Sequence, residues 1–277
     1  MSFLDVLKPG LFTDRTLFVT GGGSGINLGI ARVFAQLGAN ITICGRTEAK
    51  LSSAAAELSS LGAQVCTVVA DVRDYAAVAE AFGASEQRFG PVDTVVCGAA
   101  GNFVARAEDL SANGFKTVVD IDLLGSFNAS RAGFSQLRQS KGCLIFISAA
   151  QAYVPFAYQA HVGAAKAGVD ALMRNLALEW GVYGIRCNSV APGPIEGTEG
   201  MKRLGEVSGR DTWTSMIPLG RYGTTDEVGA IVAVLASRLG AYVTGAQVLV
   251  DGGQGLTGSS AFNQAVAAVL PPTTDGV

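Results

Sequence analysis

A chain of 277 residues with 49% hydrophobic and 16% charged side chains has enough apolar mass for a large core, which excludes a disordered protein. A net charge of −3 without any run of Lys or Arg argues against a nucleic-acid or anionic-membrane partner. The five cysteines, Cys44, Cys66, Cys97, Cys143 and Cys187, lack C-x-x-C pairs, so neither disulfides nor a metal site is expected, and buried free thiols are.

In chain order, residues 17–20 read as a short apolar strand, followed by a glycine loop and a helix over 26–37. A strand at 41–44 and an Ala- and Leu-rich helix at 48–61 come next. They are followed by a strand at 65–69, a helix at 75–89 and a strand at 94–97. A long helix is predicted over 115–138, a strand at 144–148 and a second long helix over 161–182. Strands at 187–190 and 248–250 flank a helix at 226–237 and complete the series. The uncharged stretches 142–165 and 252–274 are interrupted by Gln, Ser, Pro or Gly and do not form a bilayer span. The N-terminus has no basic region leading into a long apolar stretch, so no secretory signal is expected.

Strands apolar throughout suit a parallel sheet covered by helices on both faces. Their alternation with helices implies right-handed crossovers and an α/β, Rossmann-type, doubly wound sheet of about seven strands. No interdomain linker is visible, so residues 1–277 are expected to form one domain. Residues 194–218 break the rhythm and are expected to cover a ligand. The Gly-, Ser- and Pro-rich 254–277 are expected to be a loose tail or to dock on a neighbouring subunit.

Directly after the first strand comes Thr20-Gly21-Gly22-Gly23-Ser24-Gly25-Ile26-Asn27-Leu28-Gly29. Glycines at a strand-to-helix turn let the backbone approach a pyrophosphate, whose charge the helix N-terminus then holds. Gly21, Gly23, Ser24, Gly25 and Ile26 are therefore the first cofactor-binding candidates. At the end of the second strand, where NAD enzymes carry a carboxylate for the ribose 2′-hydroxyl, stands Gly45-Arg46-Thr47. No acid is present to repel a 2′-phosphate, and Arg46 is able to pair with one, so NADP(H) is the expected cofactor.

Taken with Lys166 in the second long helix, these motifs resemble the short-chain dehydrogenase/reductase family from Thr16 to Gly253. The resemblance implies that Asp71-Val72 flank the adenine and that Ala99-Ala100-Gly101 line the cofactor. It also implies that Pro192-Gly193 and Ile195 sit beside the nicotinamide, and that Lys166 grips its ribose. Two departures stand out. Asn27 replaces the usual third glycine, so a slightly altered turn is expected, with Gly29 taking over the close packing. The tyrosine four residues before the lysine is Val162, the helper serine is Ala149 after Ser148, and the family's asparagine is Asp122.

Hydride addition to a ketone leaves an alkoxide that needs a positioned acid. Without the tyrosine that acid is missing. A conjugated thioester needs it less, because the charge spreads to the thioester oxygen as an enolate that hydrogen-bond donors stabilise. The same losses resemble the branch of the family comprising peroxisomal-type 2,4-dienoyl-CoA reductases. Ala99-Ala100-Gly101-Asn102-Phe103, His161 and the run 191–200 with Arg203-Leu204 match that branch as well. The resemblance implies NADPH-dependent reduction of a 2,4-dienoyl-CoA to a 3-enoyl-CoA in fatty-acid oxidation.

Lys166, Asp122 and His161 are the catalytic candidates. Asp122 either orients a proton-delivering water with Lys166 or serves as a structural carboxylate in a kinked helix. His161, the sole histidine, is either an acid or a packed side chain. Asn102, Phe103, Ser148, Arg106 and Arg203 are the substrate candidates, the arginines (with Lys202) for coenzyme A phosphates. Tyr153 and Tyr158 keep open a ketone (3-oxoacyl-type) reductase with a relocated proton donor, and the lost tyrosine keeps open a non-catalytic nucleotide-binding protein. The terminal Asp275-Gly276-Val277 is unlike a peroxisomal address, so a cytoplasmic location is expected. A homotetramer packed through 115–138 and 161–182 is the family's implication.

Overall fold

A computed structural model describes residues 3–198, 201 and 210–259. Seven parallel strands lie in the order β3-β2-β1-β4-β5-β6-β7. They are β1 Thr16–Thr20, β2 Asn40–Gly45, β3 Val65–Val69, β4 Thr94–Cys97, β5 Cys143–Ile147, β6 Arg186–Pro192 and β7 Gln247–Val250. Each expected strand is present within two residues of its predicted bounds.

The helices are α1 Gly25–Gln36, α2 Glu48–Ser60, α3 Tyr75–Phe89, α4 Ala112–Val119, α5 Gly125–Ser140, α6 Ala160–Trp180, α7 Arg210–Ser215 and α8 Thr225–Ala236. Neighbouring β1 side chains feed two different cores. Leu17 and Val19 pack with Ile30, Val33 and Phe34 of α1, Leu51 and Leu58 of α2, and Val228 and Val232 of α8. Phe18 joins Val78 and Phe82 of α3, Ala129 and Leu137 of α5, and Val169 and Met173 of α6, with its ring stacked on Phe82 at 3.8 Å between centroids. Burial on both faces is why these strands carry no polar alternation.

One element departs from expectation. The helix predicted over 115–138 starts at Ala112 and is broken by a π-helical turn, Asp120–Leu124, before continuing as α5. The extra residue per turn rotates Asp122 inward, where it is 1% exposed. Such wide turns are rare inside α-helices and recur at functional sites. Gly125 accommodates the shift, since a Cβ there would lie 2.6 Å from the Val72 side chain.

Among the described residues, no helix is long and apolar enough to cross a membrane. All five cysteines are free and buried. Burial pushes the Cys44 and Cys97 thiols up to about 12, which keeps them protonated and inert.

Candidate active site

The strand order reverses between β1 and β4, and a crevice at the carboxyl ends of such strands is where open α/β sheets take ligands. Here it is a cavity of about 690 Å³. Gly21, Gly23, Ser24, Arg46, Asp71 and Val72 line one side, and Ala99, Ala100, Gly101, Asn102 and Phe103 the other. Gly21 has φ +69°, and a Cβ there would come within 3.0 Å of the Ala99 backbone, so only glycine lets the two turns meet. Thr20 Oγ1 accepts from the N–H groups of Gly98 and Ala99 at 3.0 and 3.2 Å. Ser24, the N-cap of α1, makes no side-chain cap bond, so it leaves the first-turn N–H groups, Gly25 and Ile26 among them, for an anion. These features form a cradle suited to a dinucleotide pyrophosphate.

Asn27 alters this turn through its side chain; its backbone stays helical. Its Nδ2 donates to Gly98 O at 2.8 Å and Gly21 O at 3.3 Å, bridging both lips of the crevice. Gly29 does take the close-packing position, because a Cβ there would lie 2.2 Å from the Thr225 side chain.

At the adenosine end, Arg46 is joined by Thr47 and Lys50. Lys50, in the first turn of α2, was missed in the sequence. Asp71 is tied to Arg73 at 2.6 Å. The Arg73 hydrogen bonds, with Arg46 contributing through space, hold the Asp71 carboxyl below its usual range. Two cations beside a neutralised acid fit a 2′-phosphate.

Behind the β4–β6 side, beyond the residues that line the cavity, lies a buried ion pair. Lys166 Nζ stands 3.1 Å from Asp122 Oδ2, their side chains 7% and 0% exposed, and donates to Ile147 O at 2.9 Å. Gly101 N–H donates to Asp122 Oδ1 at 2.7 Å. Val162, one turn before Lys166, is buried against Val118 and Ala165. An aliphatic surface thus occupies the position of the family's phenol. His161 is fully buried, its ring 4.2 Å from that of Phe103. Neither ring nitrogen makes a well-formed hydrogen bond. Burial lowers the imidazole pKa, opposed by the Phe103 backbone and the Asp122 charge, which favours a neutral ring at neutral pH.

Other candidates fall elsewhere. The Ser148 hydroxyl, expected to meet substrate, donates instead to Asp170 Oδ2 at 2.8 Å, which also accepts from Gln247 Nε2 at 2.6 Å. Asp170 was not foreseen, though its i+4 spacing from Lys166 puts it on the same helix face. Pro192 ends β6. Gly193 abuts Asp251, and Ile195 is buried in a bridge to Gly223; none of the three lines the cavity. Arg106 is exposed at the start of a 3₁₀ turn, outside the lining. Tyr153 is 39% exposed beside Asp251 and Asp170, and Tyr158 is 57% exposed with φ +67°. Arg203 and Lys202, with residues 199–200 and 202–209 of the expected covering segment and residues 260–277, lie outside the described residues. Among the described residues no cluster of three His, Cys, Asp or Glu is able to hold a metal.

A family described as enoyl-(acyl carrier protein) reductase matches residues 21–255. The chain is 42% identical over 250 residues to a peroxisomal 2,4-dienoyl-CoA reductase, (3E)-enoyl-CoA-producing, of Saccharomyces cerevisiae, covering 89% of this chain and 86% of that protein. It is 43% identical over 253 residues to the enzyme of the same description from Rattus norvegicus, covering 90% and 86%. The crystal structure of a short chain dehydrogenase from Bacillus anthracis superposes with a TM-score of 0.79 at 38% identity, covering 87% and 96%.

Proposed function

The chain belongs to the short-chain dehydrogenase/reductase family, and from that premise we propose that it reduces 2,4-dienoyl-CoA to 3-enoyl-CoA with NADPH. It is an oxidoreductase acting on a CH–CH bond. The observation that carries the specific reading is the buried Lys166–Asp122 pair next to Val162, where ketone-reducing relatives hold a phenol.

NADPH, when bound, would supply the hydride that the δ carbon of the substrate accepts. Electrons then move through the diene to the thioester oxygen, a proton enters at the α carbon, and the remaining double bond lies between the β and γ carbons. Lys166 would hold the nicotinamide ribose and contribute positive charge near the developing enolate. Asp122, held by Lys166 and Gly101 N–H, positions the water that delivers the α proton. His161 lies near the same carboxylate, and Phe103, its ring tilted against the imidazole, forms an apolar wall for the acyl chain. Val162 offers no hydrogen bond to an alkoxide, which disfavours ketones.

Arg46 and Lys50 support NADP(H) over NAD(H). Exposed Phe127, Leu178 and Val182 on and after α5 and α6 support packing between copies, the homotetramer implied by the family.

The test is a side-by-side assay of the purified protein with 2,4-hexadienoyl-CoA and acetoacetyl-CoA, using NADPH and NADH in turn. Dienoyl turnover at least about tenfold above ketone turnover, with NADPH preferred, is expected. Brisk ketone reduction without dienoyl turnover would establish a relocated proton donor. NADPH binding without turnover of either substrate would establish a non-catalytic protein.

A further inference from the structure

Behind the cavity lining, three buried polar atoms of two neighbouring side chains lack a well-formed hydrogen bond. They are Asp122 Oδ2, beyond its ion pair with Lys166, and both ring nitrogens of His161. Both residues are almost fully buried, and the Asp122 charge acts on the imidazole through space. Buried polar atoms are nearly always paired, so a cluster of exceptions calls for a functional account. One contact of the ring is with the Phe103 backbone, and it favours the protonated imidazole. A neutral imidazole has one donor and one acceptor nitrogen, so one buried lone pair stays unmet. Asp122 Oδ2 is an acceptor too. Two such acceptors are reconciled by an added proton or by a water that donates to both. A ring that only packs against Phe103 would be served as well by phenylalanine, which leaves no polar atom unmet. Phe103 both lines the cavity and touches the imidazole, so one side chain stands between the ring and the cavity.

We propose that His161 is a positioning residue that resupplies the Asp122-held water with the proton each turnover consumes. This rests on the dienoyl-thioester reading and deepens it. Reduction of a C=C bond takes up one hydride and one solvent proton, and Val162 has no group to carry that proton. As the Cα–H bond forms, an O–H bond of the water breaks. The imidazolium N–H bond breaks in turn, its proton restores the water, and the neutral imidazole regains a proton from solvent past Phe103. Imidazole gains and loses a proton near neutral pH, which suits it to a cycle of this kind. Burial lowers its pKa and so makes the imidazolium a stronger acid toward the water. Asp122, paired with Lys166, is the charged group that acts on the ring. The neighbouring α4 packs against α6 through Val118, and its Lys116 is turned to solvent in a pair with Asp120. The loop after β4 presents the Phe103 ring and backbone.

His161→Ala is the decisive variant, because it opens a hole the size of an imidazole. With 2,4-hexadienoyl-CoA, kcat is expected to fall about 100-fold, the lower end of what a positioned acid contributes. NADPH affinity, read by fluorescence titration, is expected to stay within twofold of wild type. Added imidazole should restore most of the lost turnover, and more fully below pH 7 than above it. Pyrazole, of the same size but not protonated in that range, should restore none, whereas a merely structural role would make the two equally effective. His161→Asn, polar but not titratable, stands in if His161→Ala does not fold. Wild-type kcat should rise from pH 8 to pH 6 and that of His161→Asn stay level. A kcat within twofold of wild type in His161→Ala (or, in its place, His161→Asn) overturns the proposal. So does a loss that imidazole leaves unrelieved or that pyrazole relieves equally, and so does a pH profile shared by wild type and His161→Asn. No dienoyl turnover by the wild type overturns the functional reading and this proposal together. Wild-type turnover with unaffected variants overturns this proposal alone.

Discussion

The two walls of the crevice are made of different material. The β1–β3 wall is mostly backbone, with glycines where the chain must pass closely and charged side chains at its rim. The β4–β6 side is backed by side chains, with a lysine, two aspartates and a histidine all less than a tenth exposed behind the cavity lining. A backbone wall binds what every dinucleotide shares, phosphate and ribose, and depends on the absence of side chains. A side-chain wall sets the reaction and depends on which groups are present, because each buried polar atom without a partner costs free energy.

The sharpest break of this contrast is at Lys166. Lys166→Met leaves Asp122 buried and unpaired, and the expected loss is about 3–5 kcal/mol of stability together with turnover. Adding Asp122→Leu should restore most of the stability and none of the activity, read by chemical denaturation and the dienoyl assay. Equal stability of the single and double variants would mean that the pair is not a charged unit.

A smaller effect is expected on the backbone wall. A Cβ on Gly98 would lie 2.1 Å from Asn27 Oδ1, so Gly98→Ala should displace the Asn27 side chain and its two hydrogen bonds, costing about 1–2 kcal/mol. In an Asn27→Gly background the same substitution should cost close to nothing. Additive effects in that double-mutant cycle would show that the two turns do not communicate.

The smallest effect concerns His161, and the chain contains no other histidine. Its folded pKa lies below the ordinary value of 6.5, so below that pH the unfolded chain binds more protons than the native one. This contribution to stability is therefore present above about pH 6.5 and is lost as the pH falls toward the folded pKa, at no more than about 1.4 kcal/mol per pH unit. Melting curves between pH 7.5 and 5.5 should show this slope in wild type and lose it in His161→Phe. An unchanged slope would assign the titration to another group.

Much of this molecule was legible in its sequence because the signals were local. Apolar runs of strand length alternating with amphipathic stretches were enough for the doubly wound sheet, and the glycine turn after β1 was enough for the crevice. The missing phenol at Val162 and the surviving Lys166 were readable through the family resemblance, which sets the two one helical turn apart.

Tertiary structure alone decided the rest, because the deciding contacts join residues far apart in the chain. A π-turn leaves apolar periodicity almost unchanged, so the sequence offered a kinked helix at Asp122 only as one alternative, and packing decided its contacts to Gly101 and Lys166. Asn27 reaches across 71 residues to Gly98, Ser148 turns from the substrate to Asp170 22 residues on, and Gln159 spans 57 residues to Asn102. Composition and periodicity specify which face of an element is buried. Which buried polar atom meets which partner is fixed only when the elements pack, since an unmet partner there costs about 1–3 kcal/mol.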